Sequence, residues 1–143
     1  MLEDLQAILS DKQDVGSGGA ATVYCTNAYD LGSPGSDVQG NTAPSDAGNS
    51  HLMIDSRVTT AFANGTSVQL DFIQSSNSDL SSPDVLESTP AIAVASLTAG
   101  YKFGLTRFPT GITKRYVGVR YVVVGATTVG NITTAVIGSV FPA

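Results

Sequence analysis

The strongest constraint on this chain is an alternation of apolar and polar side chains, with a period of two residues, in four separate segments. Successive side chains of a β-strand point to opposite faces, so this period predicts strands that turn one face toward a core. The longest segment, residues 114–124, has valine and tyrosine side chains on its inward face. The predicted core consists of Leu52, Ile54, Val58, Phe62, Val68, Leu70, Phe72, Phe103, Leu105, Val117, Val119 and Tyr121.

Turn-forming residues separate these segments. Asn64-Gly65 stands between two alternating runs, a pattern that predicts a hairpin turn. Residues 32–50 have almost nothing to bury and predict a long surface loop. About seven or eight strands follow at spacings of roughly 8–15 residues, with no helices between them. This arrangement favours an all-β fold, an antiparallel jelly-roll-like β-sandwich.

The start of the chain differs from the rest, because four aliphatic residues recur there at helical spacing. They are Leu2, Leu5, Ile8 and Leu9. A helix of two turns is marginal in isolation, and glycines at positions 16, 18 and 19 separate it from the first strand. We therefore expect residues 1–20 to form an extended or short-helical arm and residues 21–143 to form the sandwich domain. The alternative is an arm that caps the protein's own core.

Composition limits the chemistry that the chain can perform. Its 143 residues suit one domain, and they include one cysteine, Cys25, and one histidine, His51. No disulfide can form within the chain, and histidine- or cysteine-rich metal sites lack raw material. No pairing of a nucleophile with a base stands out, so we expect a protein that is not an enzyme and has no cofactor or metal. The apolar runs are too short to span a membrane, and the acidic start does not resemble a signal peptide.

Charge is divided unevenly along the sequence. Twelve acidic and two basic residues precede position 88, a net charge of −10, whereas the remainder has five basic residues and no acidic ones, a net charge of +5. One interpretation is a bipolar surface that orients the protein on a partner. The other is that the two segments interleave in the fold and their charges mix. Nucleic acid is not expected as a partner, because the overall charge is −5.

Three groups of segments carry a resemblance to a known family. They are LQAILSDKQDV (5–15) with YCTNAYDLG (24–32); RVTTAF (57–62), VQL (68–70) and SNSDLSSP (76–83); and AIAVASLTAG (91–100), PTGITKRY (109–116) and VGVRY (117–121). In this order they resemble the cement, or decoration, proteins that stabilise the heads of tailed bacteriophages, of the type first seen in a Bordetella phage. The loop at 32–50 departs from that pattern by its greater length.

The resemblance implies a jelly-roll-like virion protein that assembles in the host cytoplasm and binds the outside of the capsid as a homodimer. Its partner would be the major capsid protein. For the capsid contact we select the aliphatic stripe and four bases of the acid-poor segment: Leu2, Leu5, Ile8, Leu9, Arg107, Lys114, Arg115 and Arg120. Residues 116–124 are apolar on both faces, and this favours dimer contacts at Tyr116 and Val122 unless the chain's own loops cover them.

The main alternative function is a carbohydrate- or host-surface-binding sandwich module. Such modules usually present exposed aromatic side chains to sugar rings. The chain has no tryptophan, and four of its five phenylalanines fall at inward or turn positions. The sequence therefore favours the capsid role over sugar binding.

Overall fold

Two antiparallel sheets face each other across a shared core in the computed structural model, which describes residues 8–31, 39 and 52–138. The strands of the described part are β1 (Ile8–Asp14), β2 (Ala21–Tyr24), β3 (Tyr29–Asp30), β4 (Leu52–Ala63), β5 (Ser67–Ser75), β6 (Asp84–Ser88), β7 (Ile92–Ala93), β8 (Tyr116–Val124) and β9 (Val129–Gly138). One sheet has the order β1-β9-β4. The other has the order β2-β8-β5-β6, with β3 paired to β8 and β7 paired to β5. The predicted all-β antiparallel sandwich is confirmed.

A two-stranded ribbon connects the two sheets. In one sheet β4 pairs with β9, and in the other β5 pairs with β8. At the corner between them, the Thr66 amide donates to the Val124 carbonyl at 2.8 Å and the Thr128 amide donates to the Ala63 carbonyl at 3.1 Å. The ribbon therefore stays hydrogen-bonded as it folds over from one sheet to the other, as in the wrapping of a jelly roll.

The turn at Asn64-Gly65 is present, but the predicted hairpin is wrong. Both residues have positive φ angles, 59° and 79°, which Asn and Gly tolerate best. However, β4 and β5 lie in different sheets and do not pair with each other. Local turn chemistry was readable from the sequence, whereas the choice of partner depended on β8 and β9, which lie more than 40 residues further along the chain.

The core closely follows the predicted alternation. Every predicted core residue is buried except Leu52, which is partly buried and packs against the core. Phe72 is fully buried and its ring centroid lies 5.1 Å from that of Phe108. The core also contains residues outside the prediction: Leu9, Val15, Cys25, Ile73, Leu80, Leu97, Phe108, Ile112, Val123, Ile132 and Val136.

The described part of the predicted N-terminal arm does not stand apart from the sandwich but follows the stated alternative, a segment that caps the protein's own core. Residues 8–14 form β1, an edge strand paired with β9, and Leu9 and Val15 are each only 1% exposed. Two register shifts and a positive φ of 45° at Lys12 interrupt β1, so its apolar residues do not alternate as those of a regular strand do. Leu2 and Leu5 lie outside the described residues.

Residues 101–107, which include the predicted core residues Phe103 and Leu105, run irregularly along the outer edge of β4. The Val58 amide donates to the Tyr101 carbonyl at 2.9 Å, and the Phe103 amide donates to the Ser56 carbonyl at 3.0 Å. Phe103 and Leu105 are buried as predicted. The segment covers the backbone edge of β4, which would otherwise be free to pair with another chain.

A chain of hydroxyl groups crosses the core between the sheets. Ser10 Oγ donates to Gln13 Oε1 at 2.6 Å, and the Tyr121 hydroxyl donates to Ser10 Oγ at 2.9 Å. The Tyr121 hydroxyl has one proton, which it donates to Ser10, so Thr134 Oγ1 donates to the Tyr121 oxygen at 2.7 Å. Since Thr134 Oγ1 then has no further proton to donate, Ser56 Oγ donates to it at 3.0 Å. All donors in this hydroxyl chain therefore point the same way, toward its last acceptor, Gln13 Oε1 of β1.

Candidate interaction surfaces

Three of the four bases selected for the capsid contact are paired with carboxylates of the same chain. The pairs are Lys114–Asp84, Arg115–Asp30 and Arg120–Asp71, each with a nitrogen–oxygen distance of 2.8 Å. Each pair joins the basic segment after position 88 to the acidic segment before it. In these three pairs the acidic and basic segments therefore interleave in the fold, which is the second of the two interpretations of the charge division.

The Arg120–Asp71 pair is the most enclosed of the three. The side chain of Asp71 is 3% exposed and that of Arg120 is 25% exposed. Burial alone would raise the pKa of Asp71, but hydrogen bonds from Ser88, Arg120 and Gln69, with the charge of Arg120, outweigh it and hold that pKa below its usual value. The same pairing raises the pKa of Arg120. Both groups are therefore charged at neutral pH.

Arg107 is exposed and has no ion-pair partner among the residues that the structure describes. It lies opposite Met53, at the end of the sandwich where β4 and β8 begin, together with the paired Lys114 and Arg115. We call this the charged end. Leu9, in contrast, is buried in the core, so it cannot contact a capsid without leaving its own fold.

The two predicted dimer contacts lie on the face of β8 opposite to Val119 and Tyr121, and Tyr116 packs against the core. Both Tyr116 and Val122 are half-buried, and the Arg115 guanidinium stacks over the Tyr116 ring at 5.2 Å. They are six residues apart along β8, about 20 Å at the usual rise of a strand. Tyr116 and Val122 therefore do not form one patch.

Between these two residues the chain's own loop covers the sheet. Leu80, in the loop at 76–83, packs over Gly118 and is 1% exposed, although its φ of 60° is unfavourable for leucine. A Cβ at position 118 would lie 2.6 Å from Leu80 Cδ1 and 2.8 Å from Cys25 Sγ. The chain's own loop, and not a dimer contact, therefore covers the middle of β8.

The opposite end of the sandwich has a different character, which the sequence interpretation missed. Turns at 16–20, 63–67 and 124–129 meet there; for example, Thr127 Oγ1 donates to the Gly16 carbonyl at 2.8 Å, and Asn64 Nδ2 donates to Thr128 Oγ1 at 2.9 Å. None of the three turns has a charged residue. We call this the uncharged pole. The signal was readable as long runs without Asp, Glu, Lys or Arg.

The buried titratable groups of the core are not activated. Burial raises the pKa of the Cys25 thiol to about 11 and also raises the pKa of the Tyr121 hydroxyl. Both groups stay protonated at neutral pH, so neither is prepared to act as a nucleophile. Within the described ranges, no group of three or more His, Cys, Asp or Glu side chains is placed to hold a metal ion. His51 lies outside those ranges.

In residues 8–31, 39 and 52–138 there is no helix with the length and apolarity that a bilayer crossing requires.

The fold and its surfaces define an all-β sandwich protein whose candidate functional features are external faces. The family model Bbp16 matches residues 9–137, and the chain belongs to the Bbp16 family. The family takes its name from a Bordetella phage protein, and the match indicates a phage protein associated with the virion. No curated protein matches the chain.

Proposed function

We propose that this protein is a capsid cement protein. It binds the outer surface of an assembled phage head as a dimer and stabilises contacts between subunits of the major capsid protein. The observation that carries the proposal is the match to the Bbp16 family over residues 9–137, which includes nearly the whole sandwich. Assembly takes place in the host cytoplasm, where a reduced Cys25 is chemically ordinary.

The architecture supports a mechanical role. The hydrogen-bonded ribbon passes through both sheets, and the hydroxyl chain through Tyr121 ties them together across the core. A load applied to one sheet is therefore transmitted to the other through backbone and side-chain bonds. A protein that binds only the assembled shell shifts the equilibrium toward assembly, and each occupied site adds to that shift.

The ion pairs change the expected mode of capsid binding. Carboxylates of the same chain neutralise three of the selected bases, Lys114, Arg115 and Arg120. Among the described residues, Arg107 is therefore the one selected base without an ion-pair partner. One exposed charge contributes little to the affinity of a contact, so the affinity should depend little on salt. We therefore expect attachment to the head to depend on shape and apolar contact more than on charge.

Sugar binding receives no specific support from the described surface. Tyr24, 38% exposed, is the one aromatic residue among the exposed large hydrophobic side chains there. Carbohydrate modules of this architecture stack sugar rings on aromatic side chains, and a second exposed ring beside Tyr24 would be needed for an extended site.

The proposed function is tested by adding the purified protein to heads assembled without it and separating bound from free protein by sedimentation. We expect saturable binding at a fixed ratio to the major capsid protein, and a higher temperature of head disruption. Unexpanded or disassembled shell protein, and an unrelated protein of similar size, are the controls. Absence of co-sedimentation at micromolar protein, or binding that leaves heat resistance unchanged, would contradict the proposal.

A further inference from the structure

The turn between β4 and β5, at the uncharged pole, contains the one asparagine of the chain that is followed by glycine, Asn64. Because Gly65 has no side chain, nothing on that residue hinders the approach of its backbone nitrogen to the Asn64 side-chain amide. Both residues are exposed. In the part of the chain that the structure describes, the Gly65 N–H donates no hydrogen bond. The two groups that an intramolecular deamidation requires are therefore neighbours in sequence and within reach of water.

This reaction consumes water and needs no other reactant. Hydroxide removes the proton of the Gly65 N–H, and the nitrogen then attacks Asn64 Cγ, so that a new C–N bond forms and a cyclic imide closes. The bond from Cγ to Nδ2 breaks, and Nδ2 leaves as ammonia after it takes one proton from water, which regenerates hydroxide. Water then opens the imide at one of its two carbonyls. Opening at Cγ gives isoaspartate's isomer, aspartate, and opening at the backbone carbonyl gives isoaspartate.

The folded turn holds the reacting atoms apart. The φ of Asn64 is 59°, in the left-handed region, where ψ is about 30–60°. With ψ in that range, the Gly65 nitrogen lies nearly opposite to Asn64 Cβ across the Cα–C bond and cannot reach Cγ. Attack therefore requires the peptide group between the two residues to rotate away from its native orientation.

Packing and a hydrogen bond oppose this rotation. A Cβ on Gly65 would collide with Thr127 Cγ2, and a Cβ on Gly125 would lie 2.8 Å from Gly65 Cα, so the neighbouring turn packs closely against this glycine. The Asn64 side chain is also held, because its Nδ2 donates to Thr128 Oγ1 at 2.9 Å. We propose that Asn64 is a deamidation site that the folded turn protects, so that the modification proceeds only when this turn opens.

Deamidation changes the turn in two ways. Either product places a carboxylate in a turn that has no charged residue. Isoaspartate also adds a methylene to the main chain between two hydrogen bonds of the corner, that of the Thr66 amide with the Val124 carbonyl and that of the Thr128 amide with the Ala63 carbonyl. The main chain that these bonds span is then longer, so isoaspartate should lower the melting temperature more than Asn64→Asp does. Neither effect depends on whether the protein binds a phage head.

Peptide mapping by chromatography and mass spectrometry tests the proposal on the full chain, incubated in mildly alkaline buffer either folded or denatured in urea. The measurement follows the conversion of Asn64 and separates aspartate from isoaspartate. Thr128→Val removes the acceptor of the Asn64 Nδ2 hydrogen bond. Thr106→Val is the matched control, because it makes the same change at an exposed threonine outside this turn. Thermal unfolding of each variant reports its overall stability.

We expect Asn64 to convert at least about tenfold more slowly in the folded protein than in the denatured chain. Thr128→Val should speed the folded-state conversion about two- to tenfold with little change in melting temperature, because one hydrogen bond of the turn is lost. Its denatured rate should match that of the original, and Thr106→Val should match the original in both states.

Equal rates in the folded and denatured chains would overturn the protection. A Thr128→Val rate equal to the original, or an acceleration fully matched by a loss of global stability, overturns the role of the turn. Absence of conversion in the folded protein on prolonged incubation, with the denatured chain fully converted, overturns Asn64 as a modification site of the native protein.

Discussion

At the scale of single residues, the polar groups of the interior are the most sensitive points of this protein. Asp71 and Arg120 form an ion pair with one nearly buried partner, and Tyr121 links Ser10 of β1 to Thr134 of β9. Each of these groups is satisfied by partners from other strands. Removing one member therefore leaves another buried or half-buried group without its hydrogen bond, and this costs more than the bond itself contributes.

Asp71→Asn should lower the free energy of unfolding by roughly 1–3 kcal/mol at pH 7. The folded-state pKa of Asp71 is lowered, so its contribution is present above the ordinary carboxyl pKa and is lost as pH falls through the lower folded value. The variant should therefore lose less stability than the original protein as pH falls below the ordinary carboxyl pKa of about 4. Denaturant unfolding at a series of pH values measures this.

Asp84→Asn is the matched control for that experiment, because the Asp84 side chain is 55% exposed, whereas that of Asp71 is 3% exposed. We expect a much smaller loss of stability than that caused by Asp71→Asn, because exposed ion pairs contribute little. Equal effects of the two substitutions would contradict the role assigned to the enclosure of Asp71.

Tyr121→Phe should cost about 1–3 kcal/mol, because it keeps the ring but leaves Ser10 and Thr134 without their shared partner in the core. Tyr101→Phe, at a half-buried tyrosine outside the hydroxyl chain, should change stability by less than about 0.5 kcal/mol. Urea denaturation of the two variants gives the comparison. A Tyr121 variant as stable as the original would show that the hydroxyl chain contributes nothing.

At the scale of elements, β1 decides how the N-terminal region behaves. It supplies Leu9 to the core, Ser10 and Gln13 to the hydroxyl chain, and the Gln13 amide to the Tyr24 carbonyl at 2.8 Å. The Leu9 carbonyl also accepts a hydrogen bond from the backbone N–H of Asn27 at 2.9 Å. These contacts make β1 a seam between the two sheets, which a detachable arm could not be.

Deleting residues 1–15 should therefore lower the melting temperature by at least about 10 °C or abolish cooperative unfolding. Deleting residues 1–7 leaves β1 in place and is the control, for which we expect a smaller change. Leu9→Ala tests the same strand with a single substitution and should cost about 2–5 kcal/mol. Full thermal stability in the longer deletion would restore the independent arm that the sequence predicted. Circular dichroism during heating measures all three.

At the scale of the whole molecule, the folded-over ribbon makes the two sheets one cooperative unit. Because β4–β9 continues into β5–β8 without a break in hydrogen bonding, neither sheet can open without disturbing the other. The edge strand β6 is different, since it pairs on one side with β5 and its residues are mostly exposed. Local opening is therefore expected at β6 first.

Native-state hydrogen exchange should give one common opening free energy for the slow amides of β5, β8 and β9, and a lower one for β6. Phe72→Ala, at a fully buried ring in β5, should lower the common value by roughly 3–5 kcal/mol, and by the same amount in β9 of the opposite sheet. Two distinct values for the two sheets, or an effect confined to β5, would contradict the single unit.

The sequence alone determined the strands with regular alternation. In β4, β5 and β8 every second side chain must face the core, so Ile54, Leu70 and Val119 could be assigned to it without knowledge of their partners. The backbone conformation at Asn64-Gly65 was equally local, because it depends on the φ angles that those two residues tolerate. The same period placed Tyr116 and Val122 on the face of β8 opposite to Val119, where both are half-buried.

Tertiary structure alone decided the features that depend on distant partners. Residues 8–14 became a strand because β9 offered hydrogen bonds and the core accepted Leu9, although bulges hide the alternation. Asp30, Asp71 and Asp84 met their bases only when β8 and the loop before it were brought beside β3, β5 and β6. The uncharged pole arose in the same way, from segments far apart in the chain. Alternation and turn preference depend on a few neighbouring residues, so they can be predicted from the sequence. Strand pairing, the burial of charges and the composition of a surface depend on which distant segments the fold brings together.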